Sequence, residues 1–409
     1  MKSTHTLLIP NMLPYHFNLG VKLLKNYGYK AEVLNCTDSR VAQTGLKYVH
    51  NDICYPAILV VGQFIDAIEN GKYDPHKVAL MYFQTGGGCR ASNYVSLLRK
   101  ALEKAGYSYV PVIAVSLLGI EKHPGFKVTL PLLKRMMYCF FYGDLLMSLV
   151  NQCKPYEITP GSSEKLAQEL TQELGNKVGD ARSFCKNAEH NFARIISAFT
   201  ALPCDLTRKK VRVGVVGEIY VKYSALGNNN LENFLVDHNA EVIFPGLMGF
   251  MFYFVYNIMS DYTLYREGRL AYIPAKMAYA FLEKKEKTLN RLLNNSGRFR
   301  PSLPFKRITE LIEPFMGKGC KMGEGWLLPA EMLELIESGV PNIICTQPFG
   351  CLPNHICGKG MLKPIKDKYP NANIIAVDYD ASASSVNQEN RIELMLANAQ
   401  TESPKEHLD

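Results

Sequence analysis

The sequence is short of the signatures that would assign it quickly. It has no Gly-x4-Gly-Lys-Ser/Thr loop, which speaks against ATP binding of the P-loop kind, and Val213-Gly214-Val215-Val216-Gly217-Glu218 overlaps a strand without forming a Gly-x-Gly-x-x-Gly fingerprint. No zinc-finger, RNP or helix-turn-helix pattern is present. The ferredoxin-type Cys-x2-Cys-x2-Cys run is missing, and Cys345 and Cys351, with five residues between them, do not form a close zinc knuckle. The first apolar stretch, Thr6 to Pro10, is too short for a signal-peptide core and has no small-residue cleavage pattern after it. No export is therefore expected, and the expected location is the cytoplasm. Long uncharged runs are also scarce. The exception is 242–260, which Pro245, Gly246 and Gly249 interrupt. With no second span and no flanking Lys/Arg bias, it reads as a buried helix, with an apolar substrate cavity wall as a second reading.

What is there is ordinary globular material. A chain of 409 residues, 47% hydrophobic and 21% charged, can fill two cores, and is not disordered. Eleven cysteines, an odd number without a secretory signal, fit reduced thiols better than a disulfide framework. The net charge of +8 is spread and mixed with acids, as in Leu282-Glu283-Lys284-Lys285-Glu286-Lys287, so it reads as solvated helix surface. Neither nucleic acid nor membrane is expected as a partner. Docking to an acidic protein or an anionic cofactor tail suits the charge better.

Apolar and amphipathic segments alternate. Thr6–Ile9, Ala31–Leu34, Val78–Tyr82 and Val110–Val115 have strand character, with helical spacing over Tyr15–Tyr27, Ala57–Glu69 and Asn93–Ala105. The alternation resumes at Val211–Val216 and continues through strands at Glu241–Phe244, Asn342–Cys345 and Asn373–Asp378. This is the pattern of an α/β protein with two doubly wound parallel sheets. Turn residues from Lys154 to Ser163 suggest a boundary, giving an expected N-terminal domain at 1–155, a helical connection at 156–205 and a C-terminal domain at 206–409. The polar tail from Thr401 onward is expected to fray.

The chemistry concentrates in a few loops. Cys54 lies in Asn51-Asp52-Ile53-Cys54-Tyr55-Pro56, Cys89 ends Gln84-Thr85-Gly86-Gly87-Gly88-Cys89, and Cys345 and Cys351 bracket Thr346-Gln347-Pro348-Phe349-Gly350. Ligands of open sheets gather beyond the carboxyl ends of the strands, so these loops are expected to face one another. Four thiolates so placed point to an iron-sulfur or zinc site shared by two domains. Gly86, Gly87 and Gly88 would bring backbone N-H groups close to a bound object, or simply make a tight strand-to-helix turn. A Cys89 nucleophile, with His50 or His355 as base, is a further reading. Asp378-Tyr379-Asp380-Ala381-Ser382 reads as a helix cap, and Cys139, Cys153, Cys185 and Cys204 as small buried apolar residues.

The runs NDICYPAILVVGQFIDAI, QTGGGCRASNYVSLLRKAL, GEGWLLPAEMLELIESGVPNIICTQPFGCLPNHICGKG and DYDASASSVNQENRIELML together resemble the dehydratase-like C-terminal part of large 2-hydroxyacyl-CoA dehydratase activator proteins. They are related to 2-hydroxyacyl-CoA dehydratase subunits, benzoyl-CoA reductase subunits and double-cubane cluster proteins. The resemblance covers nearly the whole chain. It implies two Rossmann-like domains holding a low-potential iron-sulfur cluster, with Cys54, Cys89, Cys345 and Cys351 matching the recurring cysteines. It also implies a partner ATPase of the acetate and sugar kinase/actin fold, which delivers single electrons and here would be a separate protein. A 4Fe-4S cluster is the expected cofactor. Cys36 and Cys357 depart from the usual pattern and would make six thiolates, as a double-cubane cluster needs. The expected activity is reductase or dehydratase chemistry on a small-molecule substrate, with a noncatalytic electron-transfer module as the alternative. A homodimer is compatible with either.

Overall fold

The computed structural model describes residues 1–36, 38, 40–84, 88–116 and 125–401. The alternating pattern folds into two four-stranded sheets, and every pairing in both is parallel. The first contains β1 (Thr6–Pro10), β2 (Lys30–Leu34), β3 (Val78–Gln84) and β4 (Val112–Ser116), in the order β2-β1-β3-β4. The second contains β5 (Val211–Gly217), β6 (Ala240–Ile243), β7 (Asn342–Pro348) and β8 (Asn373–Tyr379), in the order β6-β5-β7-β8. Both sheets share one plan. The chain lays down an inner strand, steps outward, then crosses back to the other side, so each sheet has a switch point between its two inner strands. All seven residues of β7 are buried, as expected of an inner strand covered on both faces.

The helices of the first half are α1 (Pro14–Asn26), α2 (Arg40–Tyr48), α3 (Tyr55–Glu69) and α4 (Tyr94–Lys104). They are followed by α5 (Leu130–Cys153), α6 (Ser162–Lys177) and α7 (Ala188–Thr200). The second half adds α8 (Ile219–Tyr223), α9 (Leu231–Asp237), α10 (Leu247–Tyr265), α11 (Arg269–Asn295), α12 (Phe305–Leu311), α13 (Leu327–Glu337), α14 (Leu362–Lys368) and α15 (Ser385–Thr401). Cys54 and Pro56 start α3: a proline at the first turn loses no helical hydrogen bond, and its ring favours the helical φ. Thr129 caps α5 by accepting the Leu132 amide at 3.3 Å.

The run 242–260 divides between two elements. β6 ends at Ile243, and α10 begins at Leu247 after the Pro245-Gly246 turn. Among the described residues no helix is long and apolar enough to cross a membrane. The segment 156–205 supplies α6 and α7, which pack on α1 and α5. Helix α5 also lies against β6 and α10, and both main hydrophobic clusters run across the two halves. One joins Leu7 and Ile113 to Ile343 and Cys345, and the other joins Leu8 and Leu80 to Val213 and Ile344.

Candidate thiol site

Three cysteine loops meet at the carboxyl ends of the sheets. Cys54 occupies the N-cap of α3, Cys89 the N-cap of a short 3-10 turn (Arg90–Asn93) after β3, and Cys351 follows β7. Because β3 and β7 hold equivalent places in their sheets, Cys89 and Cys351 emerge from matching positions. The loops are tied together by backbone. The Tyr55 amide donates to Phe349 O at 3.0 Å, and the Phe349 amide donates to Tyr379 O at 2.8 Å. Arg90 Nη1 donates to the carbonyl of Asp52, linking the Cys89 loop to the Cys54 loop. Gly350 is wedged between them: a Cβ there would lie 3.1 Å from Cys54 Cα and 2.7 Å from Arg90 Nη1. A further loop, 320–325, closes the site, since a Cβ on Gly323 would stand 3.7 Å from Cys89 Sγ and one on Gly88 would strike Met322 Sδ.

The thiols differ in surroundings. Cys54 Sγ lies 2.5 Å from the hydroxyl of Tyr94, and Cys351 Sγ accepts Asn354 Nδ2 at 3.2 Å. Cys345 sits inside β7, paired in register with Val216 and Ala376, and is wholly buried. The strand runs on past it to Pro348 because Thr346 and Gln347, polar as they are, are also fully buried, with Thr346 Oγ1 donating to Val216 O at 3.1 Å. Cys345 packs in the hydrophobic cluster opposite to that of Cys54, and its Sγ is 3.9 Å from Asn354 Oδ1. The Asn354 amide thus stands between Cys345 and Cys351.

Of the glycines, Gly88 abuts the 320–325 loop, while Gly86 and Gly87 lie outside the described residues. Cys357 belongs to a π-helical turn (Asn354–Gly358) and approaches Cys320, Sγ to Sγ, at 3.5 Å. Cys320 escaped the sequence reading because Lys318-Gly319-Cys320-Lys321 has neither the apolar lead-in nor the glycine run that marks the other loops. Cys36 follows β2, with Asp66, Lys72 and Asp38 as its charged neighbours. Cys139, Cys153 and Cys185 are buried, and Cys204 is partly so. His50 pairs with Asp52 at 3.3 Å, and His355 with Gln347. Asp380 accepts the Ala381 amide at 2.6 Å, holding the turn after β8.

Burial dominates the electrostatics. It pushes the Cys54 and Cys345 thiols up to about 12, against a lowering hydrogen bond from Tyr94 at Cys54. Cys351 is driven up by burial and then by Glu324 and Glu218 nearby. Glu218 is itself raised to about 8, by burial and by Glu324. Such thiols stay protonated unless a cation arrives to stabilise the thiolate, which is what a coordinated metal does. Among the described residues no three Cys, His, Asp or Glu side chains form a ready-made cage for a single ion. Metal held here must therefore draw the thiols together or span the gaps between them.

No family model matches the chain, and no curated protein is significantly similar to it.

Proposed function

We propose that this chain is an iron-sulfur protein of the 2-hydroxyacyl-CoA dehydratase type. In this reading it takes low-potential electrons from a separate ATP-hydrolysing reductase of the acetate and sugar kinase/actin fold, and passes them to a small-molecule substrate. Each parallel sheet with its helices is read as a Rossmann-like unit, on the strength of the reversal in strand order. One observation carries the proposal: Cys54, Cys89 and Cys351, up to 297 positions apart, lie in loops bound together at the carboxyl ends of both sheets. Thiols fit an iron-sulfur cofactor chemically, and buried ones keep water from it.

A bound cluster would supply one-electron transfer at low potential. The chain's own part is to hold and tune it. Tyr94 and Asn354 are placed to donate to the sulfurs of Cys54 and Cys351, which favours a more negative, reduced state. Arg90 ties two of the loops into one frame. With the Asn354 amide between Cys345 and Cys351, the Cys54, Cys89 and Cys351 loops would hold the cofactor, and three thiolates on a four-iron cluster would leave one iron without a cysteine; this favours the catalytic reading over an electron-transfer module.

Anaerobic purification with reconstitution tests the proposal, expecting about four irons and as many sulfides per chain, or about eight for a double cubane. Reduction should produce an electron paramagnetic resonance signal. Cys54→Ser, Cys89→Ser and Cys351→Ser should each lose most of the iron, while Cys345→Ser should keep it. A parent protein without iron, or loop variants that retain it, would overturn the assignment.

A further inference from the structure

Helices α5, α10, α11 and α13, with residues 300–305, enclose a cavity of about 420 Å³, within the range of small-molecule sites. Carbon makes up most of its wall, including Phe141, Met248, Phe252 and Phe305. Part of that wall comes from 242–252 in the uncharged run.

Six ionisable side chains reach the cavity: Asp144, Arg212, Glu286, Arg300, Glu331 and Glu334. Four have firm partners. Asp144 is bonded to His16 at 2.7 Å and to the amides of Leu247 and Met248 at 2.8 Å each. Glu331 is paired with the buried Lys222 at 3.0 Å, Arg300 with the buried Glu241, and Arg212 donates to Gly339 O at 2.8 Å. Glu286 and Glu334 are different. Among the described residues Glu286 accepts the Phe305 amide alone, at 2.9 Å, and Glu334, 8% exposed, has the Leu303 backbone as its hydrogen-bonding neighbour. Neither forms an ion pair among the described residues. Burial takes Glu286 to about 7 and Glu334 to about 8, with Glu283 adding to the cost of ionising Glu286, and Glu331 and then Glu286 adding to that of Glu334.

Two carboxyls that line one apolar chamber lack an ion-pair partner among the described residues, because the nearest cations are taken: Lys222 by Glu331 and Lys287 by Glu283. We propose that the cavity is a binding site for an organic amine, its ammonium placed at Glu286 and Glu334 and its compact hydrocarbon or aromatic body against the carbon wall. The site is independent of the thiol loops and of their proposed cofactor. An ammonium supplies the missing charge and donates to both carboxylates, whereas a carboxylate ligand would meet two acids.

Calorimetric titration of the full chain with n-hexylamine and phenethylamine, against 1-hexanol and hexanoate, tests the proposal. The amines should bind at least about tenfold tighter than the alcohol, and hexanoate more weakly still. Binding should also release protons near pH 7, seen as a dependence of the heat on the buffer's ionisation enthalpy, because the carboxyls must ionise to meet the ammonium. Glu334→Gln and Glu286→Gln should each reduce amine affinity about tenfold while sparing the alcohol. Gly249→Leu is a variant that leaves the charges alone: Gly249 lines the cavity, and a Cβ there meets nothing within 4 Å. It should fill the chamber and abolish binding of amine and alcohol with the fold intact. Equal affinity for hexylamine and hexanol, tighter binding of hexanoate, or no amine binding by the parent protein would overturn the proposal. If a Glu→Gln chain failed to fold, the amine-to-alcohol ratio and proton release of the parent would still decide it.

Discussion

Gly350 shows how one residue can hold the thiol site together. Its φ of +72° lies in the left-handed region, and a side chain there would press on the backbone of Cys54 at 3.1 Å. The guanidinium of Arg90 can swing away, but Cys54 Cα cannot, since the Tyr55 amide next to it is bonded to Phe349 O. Gly350→Ala should therefore cost about 1 kcal/mol for the backbone conformation and about 1–2 kcal/mol more for parting the loops. Gly71 supplies the control. It has a similar φ of +74° with open space around it, so Gly71→Ala should show the backbone cost alone. Urea unfolding of both variants measures the difference, and equal losses would mean that Gly350 is not a wedge.

At the scale of an element, α10 depends on a residue far away in sequence. Its N-cap is Gly246, which has no side chain to satisfy the first amides. Asp144, from α5, does so instead, accepting Leu247 N and Met248 N while holding the fully buried His16. Asp144→Ala would open two helix-end amides and leave His16 without this partner, for an expected loss of about 2–4 kcal/mol. Asp144→Asn, which keeps an acceptor, should lose less. Chemical denaturation gives the total, and faster hydrogen exchange at Leu247 and Met248 would locate it; unchanged exchange there would refute the capping role. The same distance explains what the sequence could and could not reveal. The strands were legible because inner parallel strands are continuous apolar runs, and α1, α3 and α4 because their apolar spacing is helical. The strand expected at Asn342–Cys345 falls short of β7, which runs to Pro348, because Thr346 and Gln347 are polar residues whose burial is a tertiary fact. Helix α8, five residues long, is too short for a periodic signal. Of the site, the Cys54, Cys89 and Cys351 loops carried visible Gly, Pro and Cys punctuation. The inward placement of Cys345 and the approach of Cys320 to Cys357 come from strand pleat and chain crossing, which local patterns do not encode.

For the whole molecule, the continuity of the core sets how stability responds to pH. Because both hydrophobic clusters span the two sheets, the halves should unfold in one transition, and a local titration should move that single midpoint. Glu286 and Glu334 ionise at about 7 and about 8 in the folded chain, against an ordinary 4.5, chiefly through burial. The folded state thus keeps protons that the unfolded state has released. Their contribution to stability is fully present below pH 4.5 and is lost as pH rises through 7 and 8. Glutamine in place of both removes this linkage while keeping a neutral group of similar shape. Between pH 5 and 9 the melting temperature of the parent should fall more steeply than that of the Glu286→Gln, Glu334→Gln double variant, so that the double variant gains relative stability as pH rises. Calorimetric melts at several pH values would show this as diverging curves. Parallel curves would mean that these carboxyls ionise normally in the folded chain, and two separated transitions would mean that the shared core does not couple the halves.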